Sequence, residues 1–138
     1  MIAYLDSSVL LRVVLGQRGR LREWPSVREG IASALAEVEC LRTLDRLRHR
    51  GELTDGDVAV RREAVYRLLD EMTVIEPARA ILGRAGEPLP TPLGTLDAIH
   101  LATALAWRDA TGADLVFATH DGALAAAARA MGFQAIGV

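Results

Sequence analysis

The sequence predicts an α/β fold in which helices cover both faces of a central parallel sheet. Two observations indicate this class. Short apolar runs alternate with longer stretches of helical periodicity, and hairpin signals such as Asn-Gly are absent between the predicted strands. With 138 residues and 51% hydrophobic content, the chain has the size and composition of one globular domain with a substantial core. We therefore expect a single domain over residues 1–138.

The chain opens with a strand and a helix that meet at an acidic turn. Residues 1–5 are apolar and predict a buried strand, and the polar residues after it can cap a helix over residues 9–15. Glycines at 16 and 19 then interrupt the helical pattern. The polar segment that follows surrounds Trp24-Pro25 and is expected to form an exposed rim facing the substrate. Its arginines are Arg18, Arg20, Arg22 and Arg28.

A very short strand at residues 31–33 precedes two helices that predict a protruding helical hairpin. In the first helix, apolar side chains recur at steps of three and four residues. Gly51 ends this helix, and the second helix begins at residues 54–57 and ends near Glu71. The apolar positions are Leu35, Val38, Cys40, Leu41, Leu44 and Leu47 in the first helix, and Val58, Val65, Leu68, Leu69 and Met72 in the second.

The second half of the chain continues the alternation of strands and helices. Thr95 is expected to cap a helix whose apolar face contains Leu96, Ile99, Leu101, Ala102 and Leu105. We expect a central sheet of four to five strands, formed by the two strands described above and the strands of this half. The other predicted elements are a strand at 73–75, a brief helix at 78–86, an extended loop at 87–92, a strand at 115–119, an alanine-rich helix at 122–131 and a final strand at 134–138.

The composition excludes several classes of protein. No apolar stretch approaches the roughly 20 residues that span a bilayer, and the amino terminus lacks a signal pattern, so we expect a cytoplasmic protein without membrane contact. The net charge is −2, so any binding of nucleic acid must be local. All sixteen basic residues are arginines. The single cysteine, Cys40, falls among apolar helix positions and is expected to be buried, without a redox role.

Four acidic residues, Asp6, Glu39, Asp97 and Asp121, predict a metal-binding active site. Asp6 and Asp121 directly follow apolar strands, at the carboxyl ends where open α/β sheets bind ligands. Asp97 lies in the first turn of its helix, and Glu39 lies at the edge of a buried helix face, where an unpaired carboxylate is costly. Carboxylates that converge from distant segments are the ligands that Mg²⁺ requires for phosphodiester chemistry.

Each of these acids also has a structural interpretation. Asp6 and Asp121 could cap the helices that follow them, Asp97 could favour the positive end of its helix dipole, and Glu39 could be a solvated helix residue. Because Thr95 already offers a cap, the carboxylate of Asp97 remains free for other contacts. The joint occurrence of all four acids favours a functional site.

Four segments, in their order and combination, resemble the PIN-domain nucleases, and in particular the VapC-like toxins of type II toxin–antitoxin pairs. The resemblance covers essentially the full length and implies a PIN-like three-layer α/β/α fold. It maps the four acidic positions of the family onto Asp6, Glu39, Asp97 and Asp121, and Ser8 and Thr119 match small hydroxyl residues that hydrogen-bond around the metal ligands. The segments are Tyr4-Leu5-Asp6-Ser7-Ser8-Val9-Leu10-Leu11, Ser33-Ala34-Leu35-Ala36-Glu37-Val38-Glu39-Cys40-Leu41-Arg42, Leu96-Asp97-Ala98-Ile99-His100-Leu101-Ala102-Thr103-Ala104 and Phe117-Ala118-Thr119-His120-Asp121.

This resemblance implies a metal-dependent endoribonuclease that cleaves single-stranded or loop RNA and leaves a 3′-hydroxyl and a 5′-phosphate. Asp6, Asp97 and Asp121 would bind Mg²⁺ or Mn²⁺, and Glu39 would bind the ion or orient the attacking water. A cation would also relieve the repulsion between the carboxylates, which otherwise raises at least one pKa. The implied partners are a small cognate antitoxin, whose carboxyl-terminal segment inserts near the acidic pocket, and a second copy of the chain in a homodimer.

Several assignments stay open at this point. Glu37 competes with Glu39, and Asp114 competes with Asp121, although Asp114 precedes its strand rather than following it. Arg42, a helical turn beyond Glu39, is a candidate phosphate contact or an ordinary partner of a helix carboxylate. Of the histidines near these acids, the one at 100 is expected to be a packed or hydrogen-bonded core residue and the one at 120 to be exposed.

Three other functions agree with parts of the pattern. A haloacid-dehalogenase-like phosphatase or a response-regulator receiver also places an aspartate after the first strand, but both rely on a lysine, which this chain lacks. A non-catalytic PIN-like domain that binds RNA or protein would be favoured by loss of one of the four carboxylates, and all four are present. A housekeeping RNA-processing nuclease is less favoured because no appended domain accompanies the nuclease segment.

Overall fold

The computed structural model describes residues 1–138 and has six α-helices around one five-stranded sheet. It confirms the predicted three-layer α/β/α class, the parallel sheet and the helical hairpin. The strands are β1 (Ile2–Leu5), β2 (Glu29–Ser33), β3 (Thr73–Ile75), β4 (Leu115–Ala118) and β5 (Ala135–Ile136). The helices are α1 (Ser7–Val14), α2 (Leu35–His49), α3 (Asp55–Asp70), α4 (Arg79–Ala85), α5 (Thr95–Thr111) and α6 (Gly122–Ala130), with a 3₁₀ turn at Trp24–Ser26.

The strand order in the sheet is β3-β2-β1-β4-β5, and every neighbouring pair is parallel. The chain therefore builds outward from β1 through β2 and β3, and then returns to the other side of β1 to add β4 and β5. Such a reversal of direction leaves a crevice between the carboxyl ends of the two central strands, and this is where open α/β sheets bind ligands. Here the crevice lies between β1 and β4.

The central strand β1 is buried on both faces, as its uninterrupted apolar sequence predicts. Successive side chains of a strand point to opposite faces. Ala3 and Leu5 accordingly join the core beneath α1, α2 and α3, whereas Tyr4 joins the core beneath α5 and α6. Cys40 is buried in the first of these cores, and burial together with the charges of Glu39 and Asp6 raises the pKa of its thiol to about 12. Its burial agrees with the prediction.

The helical hairpin consists of α2 and α3 packed on each other and on α1. The second helix begins with a capping box: the Thr54 hydroxyl accepts a hydrogen bond from the Asp57 amide, and the Asp57 carboxylate accepts one from the Thr54 amide, both at 3.0 Å. Three apolar side chains remain exposed along the hairpin, at Val38, Val60 and Tyr66. No helix in the structure combines the length and apolar character needed to cross a membrane.

Some local predictions were wrong. Thr95 is the first helical residue of α5 rather than its cap; Gly94 occupies the N-cap position, and no side chain caps this helix. Glycine is accepted at this position because the extended backbone there needs no side chain. Helix α1 begins at Ser7, earlier than predicted, and β5 has two residues instead of five.

Candidate active site

Asp6 lies at the crevice between β1 and β4 and is buried, with 4% of its surface exposed. It occupies the N-cap position of α1, but its side chain makes no capping hydrogen bond. Its Oδ2 atom instead accepts hydrogen bonds from the hydroxyls of Ser8 at 2.7 Å and Thr119 at 2.9 Å. The helix-cap interpretation therefore does not explain this carboxylate. Two hydroxyl groups orient it towards the crevice instead.

The same two hydroxyls connect the ends of β1 and β4. Thr119, fully buried after β4, accepts a hydrogen bond from the amide of Asp121 at 3.0 Å. Ser8 accepts one from the amide of His120 at 2.9 Å. Each hydroxyl thus donates to Asp6 and accepts from the loop after β4. This arrangement holds the loop that carries Asp121 directly above the Asp6 carboxylate.

Asp121 is exposed and caps α6, since its Oδ1 atom accepts a hydrogen bond from the Leu124 amide at 2.9 Å. The interpretation of Asp121 as a helix cap is therefore correct for one of its two carboxylate oxygens. A carboxylate has two oxygens with about four acceptor positions, so capping leaves the second oxygen available to a cation or a water molecule.

A buried histidine joins two of the other acids. His100, on α5, is fully buried, and its Nδ1 atom lies 2.7 Å from the Tyr4 hydroxyl. Its Nε2 atom hydrogen-bonds to Oε1 of Glu39 and lies 3.7 Å from Oδ1 of Asp6. Burial lowers the pKa of His100, but the hydrogen bond that its imidazole donates to Glu39 and the charges of Asp6 and Glu39 outweigh that effect and raise it. The imidazole therefore fixes Glu39 next to Asp6.

Asp97 completes the group from the first turn of α5, one turn before His100. Its pKa is raised above the ordinary value, first by partial burial and then by the negative charges of Asp121 and Asp6, with a smaller contribution from Glu39. Asp6 and Glu39 meet at His100, Asp121 follows the threonine that binds Asp6, and Asp97 lies one turn from His100, so the four acids lie around one crevice. Residues that lie up to 115 positions apart in the sequence thus converge at the carboxyl edge of the sheet.

The donor chemistry of this acidic centre, which we define as Asp6, Glu39, Asp97 and Asp121, fits a hard divalent cation. All four side chains offer carboxylate oxygens, and a cation would offset the repulsion that raises the pKa of Asp97. As the side chains lie, however, no group of three or more His, Cys, Asp or Glu residues is arranged to hold an ion. An ion would therefore have to draw the carboxylates closer together.

The competing residues occupy less suitable places. Glu37 lies in the first turn of α2 and is not among the charges that perturb Asp97. Asp114 is exposed and directly precedes β4, so it lies at the amino edge of the sheet, opposite Asp121. Arg42 is 62% exposed at its side chain and pairs with Asp45 at 3.1 Å. It also lines a cleft of about 400 Å³ together with Glu39.

The contact between His100 and the acidic centre was not predicted from the sequence. The sequence predicted a hydrogen-bonded core histidine, which the structure has, but not that Glu39 and Tyr4 would be its partners. The three-residue spacing between Asp97 and His100 indicated such a contact, because residues three apart share one face of a helix. His120 was predicted to be exposed and is instead half-buried, with Nδ1 donating to the Gly137 carbonyl at 2.7 Å.

Comparisons with known proteins agree with this arrangement. Residues 3–132 match the PIN domain family. The chain is 34% identical over 137 residues to Ribonuclease VapC46 of Mycobacterium tuberculosis, covering 96% of this chain and 95% of that protein. It is 28% identical over 137 residues to Ribonuclease VapC47 of the same species, with 94% and 92% covered.

Two solved structures share the fold. A toxin–antitoxin complex from Klebsiella pneumoniae matches with a TM-score of 0.60 at 17% identity, covering 88% of this chain and 87% of that one. Mycobacterium tuberculosis VapC20, described as a sarcin-ricin loop cleaving toxin, matches with a TM-score of 0.60 at 19% identity, covering 96% of both chains. Because the PIN-domain match spans nearly all residues and a relative of similar length is 34% identical, this chain belongs to the PIN-domain family, among the VapC ribonucleases.

Proposed function

We propose that the protein is a metal-dependent endoribonuclease that cleaves single-stranded or loop RNA and acts as the toxin of a toxin–antitoxin pair. The observation that carries this proposal is the convergence of four carboxylates at the crevice between β1 and β4, where burial and then the charges of Asp121 and Asp6 raise the pKa of Asp97. The relatives that are named ribonucleases, and the solved structures named as toxins, support the same activity.

In this proposal Asp6, Asp97 and Asp121 bind Mg²⁺ or Mn²⁺. The bound ion supplies Lewis acidity at the scissile phosphate and a water of lowered pKa. Ser8 and Thr119 hold Asp6 in a single orientation, so that little freedom is lost when the ion binds. Asp121 binds through the oxygen that does not cap α6, directly or through a water molecule.

Glu39 orients the attacking water in the same proposal. His100 fixes its Oε1 atom, which leaves Oε2 to accept a hydrogen bond from the water. Attack of that water on phosphorus breaks the P–O3′ bond, and the products are a 3′-hydroxyl and a 5′-phosphate. Arg42 lines the cleft beside Glu39 and can exchange its partner Asp45 for a phosphate oxygen, because ion pairs at the surface are weak.

Surfaces near the acidic centre and on the hairpin support two proposed partners, the antitoxin and a second copy of the chain. The cleft of about 400 Å³ is walled by Leu11, Leu35, Val38 and Leu96, with two arginines at its edge, Arg42 and Arg46. Apolar walls with basic edges suit an amphipathic protein segment, and we assign this cleft to the cognate antitoxin. The exposed apolar residues of the hairpin, Val60 and Tyr66, are candidates for a homodimer contact, which light scattering of the antitoxin-free protein would test.

The test is RNA cleavage by purified, antitoxin-free protein with Mg²⁺ or EDTA. We expect cleavage of structured RNAs in their loops with Mg²⁺ and none with EDTA. Asp6→Asn and Asp97→Asn should abolish cleavage while the far-ultraviolet circular dichroism stays unchanged. Asp114→Asn is the matched control, because it removes an exposed carboxylate at the opposite edge of the sheet and should leave cleavage intact.

The same assay separates the two glutamates of α2. Glu39→Gln should reduce cleavage by about 100-fold or more, as expected for loss of a group that orients the nucleophile, whereas Glu37→Gln should have little effect. Cleavage that persists in EDTA would contradict the metal assignment. A protein that binds RNA but never cleaves it, with every carboxylate intact, would instead support a non-catalytic binding role. A specific processing product from one precursor RNA would favour a housekeeping nuclease.

A further inference from the structure

A basic pocket adjoins the acidic centre on the side of β4 and β5. We define it by Arg12, Arg20, Arg22 and His120, which line a space of about 290 Å³. Glu23 is the single acidic side chain along its wall. Because the whole chain carries a net charge of −2, three arginines around one pocket are a local concentration of positive charge. Neither the metal assignment nor the antitoxin cleft uses these residues.

The backbone that carries these arginines is held in place by specific contacts. The Arg12 guanidinium donates a hydrogen bond from Nη1 to the Gly19 carbonyl at 2.7 Å. Leu21 is buried, with 3% of its surface exposed, and belongs to the core beneath α1. Arg20 and Arg22 flank this buried anchor and are both exposed. The segment after α1 therefore presents these two exposed arginines from a fixed position.

A chain of hydrogen bonds connects the basic pocket with the acidic centre. The amide of His120 donates to the Ser8 hydroxyl at 2.9 Å, and that hydroxyl donates to Asp6 at 2.7 Å. His120 also directly precedes Asp121. His120, a residue that lines the basic pocket, therefore lies one position from Asp121 and one hydroxyl group from Asp6.

An aromatic side chain lies at the far side of the same arginines. A second recess of about 260 Å³ shares Arg20 and Arg22 with the basic pocket and is lined by Trp24 and Pro25. Trp24 is half-buried, so part of it faces solvent. Proteins that bind single-stranded nucleic acid combine such positive grooves with aromatic side chains on which bases stack.

We propose that the basic pocket binds a backbone phosphate of single-stranded RNA next to the scissile bond, and that Trp24 stacks on a base beyond it. This inference rests on the endoribonuclease function proposed above. The planar guanidinium groups of arginine match phosphate oxygens in pairs. Arg22, whose side chain is 92% exposed, pairs only with Glu23 at 3.3 Å, and such exposed pairs are easily exchanged for a phosphate.

An acidic segment of a protein partner is the alternative occupant of these arginines. RNA is favoured because the pocket is lined by His120, which directly precedes Asp121 and hydrogen-bonds to Ser8 beside Asp6, and because Trp24 offers a surface for a base rather than for a charged side chain. The apolar cleft beside Glu39, which suits a protein segment, lies against α1 and α2 and shares no residue with the basic pocket.

The test measures binding of an unstructured, fluorescein-labelled single-stranded RNA of twelve nucleotides by anisotropy in EDTA. The variant Arg20→Ala/Arg22→Ala removes both exposed arginines and leaves Arg12, which anchors Gly19, untouched. We expect its Kd to rise about tenfold or more, and the slope of log K against log salt to fall by about 0.7, since each neutralised phosphate of a single strand contributes about 0.7.

Two further variants serve as controls. Arg20→Lys/Arg22→Lys keeps the charges and should recover part of the affinity but lose the paired guanidinium contacts. Arg50→Ala/Arg79→Ala removes two exposed arginines from the end of α2 and the start of α4, and should change Kd by less than about twofold. An equal loss in this control would show a general charge effect and overturn the proposal.

Cleavage of the same RNA with Mg²⁺ separates this proposal from the nuclease function. If the wild type cleaves, and Arg20→Ala/Arg22→Ala binds and cleaves RNA as well as the wild type does, the basic pocket is not an RNA site although the enzyme is a nuclease. The proposal is also overturned if this variant binds and cleaves RNA like the wild type but no longer binds the antitoxin. If the wild type binds without cleaving, the binding comparison still decides the role of the pocket.

Trp24 is tested without being mutated, because it also packs against the core. In the variant Trp107→Phe, Trp24 is the single remaining tryptophan. We expect RNA to quench the fluorescence of this variant, and the quenching to saturate at the same RNA concentration as the anisotropy signal. Unchanged fluorescence at saturating RNA would remove Trp24 from the proposed site.

Discussion

The hydroxyl of Thr119 donates a hydrogen bond to Oδ2 of Asp6 at 2.9 Å and thereby joins the carboxyl ends of β4 and β1. Both residues are buried, and the contact spans 113 positions of sequence. Thr119 also accepts a hydrogen bond from the Asp121 amide. One hydroxyl group therefore sets the orientation of one proposed metal ligand and the backbone position of another.

Replacing Thr119 by valine should weaken the metal site while preserving the fold. Valine matches threonine in shape but lacks the hydroxyl, so Oδ2 of Asp6 keeps only its bond from Ser8. Loss of such a supporting contact costs about 10- to 100-fold in metal affinity or activity. The measurement is the Mg²⁺ concentration that gives half-maximal cleavage. Thr119→Ser, which retains the donor, should stay within a few-fold of the wild type.

Asp97→Asn should stabilise the metal-free protein. A raised pKa means that the ionised carboxylate is disfavoured in the fold, so stability falls as pH rises from the ordinary pKa through the raised one. Asparagine removes the charge, and with it the cost of its burial and its repulsion by Asp121 and Asp6, so at neutral pH in EDTA we expect the Tm to rise by about 2 °C. Saturating Mg²⁺ should stabilise the wild type more than the variant. A lower Tm of the variant in EDTA would show that Asp97 makes favourable contacts instead.

His100 should make the stability of the metal-free protein depend on pH. Its pKa is raised in the fold, so the protonated form contributes stability fully below the unfolded value of about 6.5 and loses it as pH rises through the folded value. The free energy of unfolding in urea should therefore decline over that range. His100→Gln should flatten the dependence, whatever it does to stability at any single pH. A slope unchanged by His100→Gln would contradict the pairing with Glu39.

Gly137→Ala should destabilise the protein by about 2 kcal/mol or more. Gly137 has a φ of +99°, and a Cβ atom there would lie 2.5 Å from the Thr119 carbonyl oxygen. Urea denaturation measures the loss as a lower midpoint. Gly122→Ala is the matched control, since a Cβ on this first residue of α6 meets no atom within 4 Å, and it should be neutral or stabilise by up to about 0.5 kcal/mol.

Local patterns in the sequence were sufficient to predict most of the elements. Strand β1 was predictable because a strand that is buried on both faces must be apolar throughout, and the hairpin because its helices carry a 3.6-residue repeat. The acids Asp6 and Asp121 were conspicuous because each directly follows such a strand. The Thr95 cap was predicted wrongly because threonine and glycine are both acceptable at an N-cap, and only the path of the chain selects between them.

By itself, the sequence determined the alternation of strands and helices and the presence of four acids near strand ends, since these depend on neighbouring residues. Only the tertiary structure decided that β4 lies beside β1, and this places Thr119 on Asp6. It also placed His100 beside Glu39. Leu21 is buried, and the arginines on either side of it line one pocket with His120. Such contacts join residues far apart in the chain, and their free energy depends on distances that no local pattern records.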